Sequence, residues 1–179
     1  MAIDRKVQVV TGGTSGMGLS LAAGLAKFGP VIIGGRSEDK LAKSLDALKA
    51  LGIEAYGVTC DISDLASVKR FREDALGIGE IGYVVNAAGV DFDNSTIEQI
   101  LSINMGGVVN VTEAFWPDME NNVLVHFSSN TGYHYNVESQ DREAWDDTLN
   151  PDFLANAKAA IESGNHPRPS FLDERYTYY

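Results

Sequence analysis

Val7-Gln8-Val9-Val10-Thr11-Gly12-Gly13-Thr14-Ser15-Gly16-Met17-Gly18 is the stretch that decides the fold. Val7 to Val10 is a short, β-branched run followed at once by glycines, which reads as a buried strand ending in a tight turn. Beyond the turn, Leu19, Leu21, Ala22, Leu25 and Ala26 recur at helical spacing until Gly29-Pro30 stops them. A strand, a glycine-rich turn and a helix in this order make a cradle for an anion. Without Cβ atoms at Gly12, Gly16 and Gly18 the backbone can approach a pyrophosphate, whose charge then rests against the amides and positive dipole end of the helix.

The alternation continues outward. Val31 to Ile33 predicts a second strand. Ser37 can cap a helix that carries Leu41, Leu45, Leu48 and Leu51 on one face before Gly52 ends it. Glu54 to Thr59 reads as a strand, Val68 to Leu76 as a helix and Tyr83 to Asn86 as a strand. One long helix is predicted from about Ile97 to Phe115, closed by Trp116-Pro117, with Val123 to Phe127 as a further strand. Parallel pairing needs helical crossovers of this kind, so the pattern predicts an α/β fold with a doubly wound parallel sheet. From Ser128 the rhythm is lost: Tyr133 to Leu149 is polar and acidic, Pro151 to Ser163 reads as one helix and Gly164 to Pro169 is a breaker cluster. We read residues 1–179 as a single dinucleotide-binding domain with residues 133–175 as an insertion or lid.

Composition narrows the partners. A net charge of -11 opposes binding to nucleic acid and to anionic membranes, so any phosphate must be held locally. The one cysteine, Cys60, cannot form an internal disulfide, and the first residues lack a long apolar run, which together point to the cytoplasm. No apolar stretch is long enough to span a bilayer, and no metal site is expected.

The Thr-Gly-x-x-x-Gly-x-Gly loop at Thr11 to Gly18, with Asn86-Ala87-Ala88-Gly89 at the end of the fourth strand, resembles the short-chain dehydrogenase/reductase family and its Rossmann fold. The resemblance implies that Gly12, Thr14, Ser15, Gly16, Met17 and Gly18 hold the cofactor. It also implies that Asn86, Ala87, Ala88 and Gly89 line its adenosine side and that Asp61-Ile62 receives the adenine. Asp61 read alone is equally the cap of the next turn. Asn104, in Ser102-Ile103-Asn104-Met105, matches the family asparagine that holds a proton-relay water; read alone it is a packing residue that must find a partner. Ser129, the second serine of Ser128-Ser129, matches the residue that polarises a substrate carbonyl.

The family's chemistry also needs a tyrosine with a lysine four residues on, because a nearby ammonium is what brings a phenol toward neutral pH. Neither Tyr133 nor Tyr135 is followed by such a lysine, and Lys158, preceded at that spacing by Leu154, reads as a solvated helix residue. Bacterial relatives similar to 3α-hydroxysteroid dehydrogenase/carbonyl reductase carry an insertion after the serine, and on that pattern Tyr178 or Tyr179 is the catalytic tyrosine. The fold is then expected to be incomplete at the C-terminus, with the lysine lying beyond it.

No carboxylate stands in Gly34-Gly35-Arg36-Ser37, where one would bind the ribose of NAD, and Arg36 offers a charge-assisted contact to a 2′-phosphate. NADP is therefore favoured, with NAD the alternative because Ser15 stands where NADP-preferring relatives carry a basic residue. The implied activity interconverts an alcohol and a ketone on a small molecule, in a parent protein that is a homo-oligomer. The rival expectations are a catalytically incomplete dinucleotide-binding sensor or partner subunit, and an epimerase or dehydratase built on the same loop.

Overall fold

A computed structural model of the chain describes residues 6–91, 94–128 and 150–163. It divides into two compact units, Met1–Gly89 with Gly107–Phe127 and Val90–Gly106 with Ser128–Tyr179.

The first unit is a parallel sheet of five strands: β1 (Val7–Thr11), β2 (Val31–Gly35), β3 (Ala55–Thr59), β4 (Ile81–Asn86) and β5 (Leu124–His126), in the order β3-β2-β1-β4-β5. Crossovers come from α1 (Gly16–Leu25), α2 (Glu38–Ala50) and α3 (Leu65–Ile78). After the second unit's α4 (Ile97–Ile100) the chain returns as α5 (Gly107–Phe115). Strand order reverses between β1 and β4, and the carboxyl ends of the strands at such a point are the usual ligand position in such sheets. The expected doubly wound arrangement is thus present.

Both faces of the sheet are covered. Val10, Val31, Ile33 and Val85 pack with Ala22 of α1 and with Leu41 and Leu48 of α2. Toward α3 and α5, Phe71 and Phe115 are fully buried and meet edge to face, with ring centroids 6.3 Å apart; each such ring contributes roughly 1.5–3 kcal/mol by leaving water. Arg72 of α3 clasps Asp118 beyond α5 through Nε–Oδ2 at 2.5 Å and Nη2–Oδ1 at 2.8 Å. Ser37 caps α2 as its sequence predicts, accepting from the Lys40 amide. Leu51, expected on the apolar face of that helix, is instead its exposed C-cap, because the chain turns away at Gly52 while the Ile53 amide reaches back to the Leu48 carbonyl. β5 is shorter than the expected Val123 to Phe127, yet the Val123 carbonyl and the Phe127 amide still bond to β4 at either end.

In the second unit, Thr96 and Gln99 cap α4 reciprocally: the Thr96 amide donates to Gln99 Oε1 at 2.9 Å and the Gln99 amide to Thr96 Oγ1 at 3.2 Å. The helix expected to run unbroken to Phe115 widens into π-helical turns over Leu101–Gly106. Within these turns the Asn104 side chain is tied to the backbone of Val90 by two hydrogen bonds. Ile100 and Leu101 pack with Val90 and Met105. A last helix, α6 (Phe153–Glu162), falls where Pro151 to Ser163 predicted one, and its Lys158 pairs with Glu98 at 3.0 Å. Among the described residues no helix is long and apolar enough to cross a membrane.

Candidate functional site

Gly12 closes the end of β1 in a left-handed conformation, φ 65°, which L side chains rarely adopt. A Cβ there would stand 2.6 Å from the Ala88 amide nitrogen and 2.7 Å from the Ala87 carbonyl, so only glycine lets the loop lie against the segment after β4. The Ala87 amide donates to the Thr11 carbonyl at 3.2 Å, continuing the β1–β4 ladder into this seam. From the other side, the Gly13 amide donates to the Gly34 carbonyl at 3.2 Å and Ser44 Oγ of α2 to the Thr14 carbonyl at 2.9 Å. The loop is held by β2, α2 and the β4 end at once.

What the loop presents outward is an uncapped helix start. Ser15 is the extended N-cap of α1, yet its side chain accepts no bond from the first turn, and Ser15, Gly16 and Met17 are exposed. A Cβ on Gly16, at φ 50°, would meet nothing within 4 Å. Free amides beside open space, at the positive end of a helix, suit a diphosphate in geometry and charge.

Around this centre, Arg36 is exposed at the end of β2 and, among the described residues, has no ion-pair partner. The Asp61 carboxylate accepts from the Ser63 amide at 3.0 Å and from Ser63 Oγ at 2.7 Å, the local turn its sequence allowed, while remaining partly open. Ile62 is buried with its side chain beneath Gly107, and its carbonyl accepts from Asn110 Nδ2 at 2.8 Å. Ala87 and Ala88 are partly exposed and Gly89 is exposed.

Asn86 carries a polar chain that periodicity did not reveal. Thr11 Oγ1 donates to Asn86 Oδ1 at 2.5 Å, Asn86 Nδ2 meets His126 Nδ1 at 3.2 Å and His126 Nε2 meets Thr112 Oγ1 at 3.0 Å. Loss of water pushes the His126 imidazole below its usual range. The one available signal was a histidine inside the otherwise apolar Val123 to Phe127 run.

Asn104 belongs to the second unit, half-buried, with both ends of its amide used: Oδ1 accepts from the Val90 amide at 2.9 Å and Nδ2 donates to the Val90 carbonyl at 3.0 Å. Ser129, Tyr178 and Tyr179 lie outside the described residues. Lys158 is engaged with Glu98 across an exposed surface, both side chains being largely open to water.

Comparison with known proteins agrees with this geometry. The family model described as short chain dehydrogenase matches residues 6–141. A dehydrogenase/reductase SDR family member 4 from Oryctolagus cuniculus is 31% identical over 128 residues, covering 66% of this chain and 49% of that protein. A 1-deoxy-11-beta-hydroxypentalenate dehydrogenase from Streptomyces avermitilis is 31% identical over 128 residues, covering 65% of this chain and 47% of the relative. Among solved structures, a variant of actinorhodin polyketide ketoreductase with NADPH superposes with a TM-score of 0.66 at 25% identity, over 89% of this chain and 62% of the other. A short chain dehydrogenase/reductase from Burkholderia phymatum in complex with NAD gives 0.65 at 27% identity, over 91% and 58%. The chain spans about half the length of the curated relatives it matches. The chain belongs to the short chain dehydrogenase family, among oxidoreductase relatives that include ketoreductases and dehydrogenases.

Proposed function

We propose that these residues form the nucleotide-binding part of an NAD(P)-dependent oxidoreductase that interconverts a secondary alcohol and a ketone on a small molecule. The observation that carries the reading is the Gly12 seam against Ala87 and Ala88, beside the uncapped start of α1 and the open space over Gly16. The solved neighbours described with NADPH and with NAD support the choice of ligand class.

On this reading Gly12, Thr14, Ser15, Gly16, Met17 and Gly18 cradle the diphosphate, and Asn86 through Gly89 form the floor beside the adenosine. Asp61 accepts from the adenine amino group with whatever capacity its turn leaves, and Ile62 contributes backbone only. Arg36, with Ser37 beside it, favours NADP over NAD, because a permanently charged guanidinium pairs with the extra phosphate. The dinucleotide, when bound, gives or takes the hydride. Ser129 orients the substrate oxygen and Tyr178 or Tyr179 exchanges the proton. Asn104 supports that exchange in the proton relay.

The test is titration of the chain with NADPH and NADH. Saturable binding, tighter for NADPH, is expected; a folded chain that binds neither removes the reading.

A further inference from the structure

We propose that His126 is a positioning residue: as the neutral tautomer protonated on Nε2 it holds Asn86, and with it the Ala87–Ala88 side of the nucleotide seam, and protonation of Nδ1 releases that hold.

The tautomer follows from the order of the hydrogen bonds. Thr112 Oγ1 lies 2.8 Å from the Val108 carbonyl oxygen, a repulsive distance for two acceptors unless the hydroxyl proton lies between them. That proton being used, Thr112 can only accept from His126, so Nε2 carries the hydrogen. Nδ1 is then a bare lone pair and accepts from Asn86 Nδ2, which leaves Asn86 Oδ1 to accept from Thr11. All the bonds run in one direction, from Thr11 on β1 to Val108 on α5, and only this ring state completes them. A second proton on the ring would set two donors face to face at Asn86.

Among the described residues, the surroundings supply no charge to offset that. β5 packs against β4 and α5. β4 carries Tyr83, which alternates to the other face and meets Phe28 edge to face; α5 carries Glu113, which is paired with Lys69 at 2.9 Å. Loss of water alone lowers the affinity of the ring for a proton. Because its folded value lies below 6.5, the stability contributed by the neutral ring is complete above that pH and diminishes as the pH falls toward the folded midpoint.

The consequence for binding rests on the dinucleotide reading above. If only the neutral ring supports the seam, affinity falls about tenfold one pH unit below the His126 midpoint. NADH is the probe, since it lacks the 2′-phosphate that itself titrates near this range. In His126→Asn the new amide oxygen can accept from Asn86 without titrating, so NADH affinity should not fall at the pH where the wild type loses it. Nitrogen-15 shifts of the imidazole should report a hydrogen on Nε2 and a bare Nδ1. A neutral ring protonated on Nδ1, or a His126→Asn protein that loses affinity at the same midpoint as wild type, overturns the proposal. If neither protein binds NADH at pH 8, the dinucleotide reading fails instead, and the Ala87 and Ala88 amide resonances decide the positioning role. Movement with the His126 midpoint supports it and indifference to that midpoint rejects it.

Discussion

Gly12 rests on Ala88 so closely that a Cβ on the glycine would stand 2.6 Å from the alanine amide nitrogen. The contact joins the ends of β1 and β4, the two strands between which the order of the sheet reverses, into one continuous surface. The loop on one side and Asn86 with its successors on the other are therefore parts of a single site.

Gly12→Ala and Gly16→Ala should separate packing from conformation. Both residues have positive φ, but only the first has backbone in the way. Gly12→Ala is expected to cost about 2–5 kcal/mol, the sum of overpacking and left-handed strain, and Gly16→Ala about 1–2 kcal/mol. Urea unfolding of the two variants measures the difference; equal losses would mean that the seam is not closed.

Asn104→Ala removes both bonds to Val90 and leaves a half-buried amide and carbonyl without them. A loss of about 1–3 kcal/mol is expected, together with faster hydrogen exchange at the Val90 amide. Exchange unchanged at Val90 would show that this side chain does not hold the Val90 amide.

Arg72 and Asp118 are the more sheltered ion pair, with side chains 25% and 15% exposed, against 52% and 54% for Lys69 and Glu113. Asp118→Ala should destabilise by about 2–4 kcal/mol, because a guanidinium loses a two-point partner while still mostly shielded from water. Glu113→Ala should cost no more than about 1 kcal/mol. Thermal unfolding of the two variants tests the ranking.

Cys60 has its thiol pushed up to about 12, chiefly by burial and against the lowering effect of its bond with Ser67. Almost no thiolate is then present at pH 8, and a thiol reagent should label the native chain only at the rate at which it opens, while labelling in urea is immediate. Prompt labelling of the native chain would place Cys60 nearer the surface than the structure does.

Much of this was legible in the residues themselves. The β-branched run at Val7, the glycines that follow and the leucine spacings fix strands and helices because parallel strands buried on both faces must be apolar and helices must alternate with them. Asn86 to Gly89 came from their resemblance to a known motif. The π-helical turns were hidden because the apolar rhythm runs intact on both sides of them, and the bond of Asn104 to Val90 within them joins residues distant in sequence. The Thr11, Asn86, His126 and Thr112 chain was hidden for a similar reason. It depends on the pairing of Asn86 with His126 across β4 and β5, a register no local pattern encodes.

The central claim is that the loop from Gly12 to Gly18 holds a nicotinamide dinucleotide, and fluorescence titration with NADPH and NADH tests it in wild type, Gly16→Asp and Arg36→Asp. The account predicts binding by the wild type and its loss in Gly16→Asp, where a carboxylate would occupy the open space over the helix start. It also predicts a shift of preference toward NADH in Arg36→Asp. A Gly16→Asp protein that is folded by circular dichroism and binds either nucleotide as tightly as wild type would contradict it.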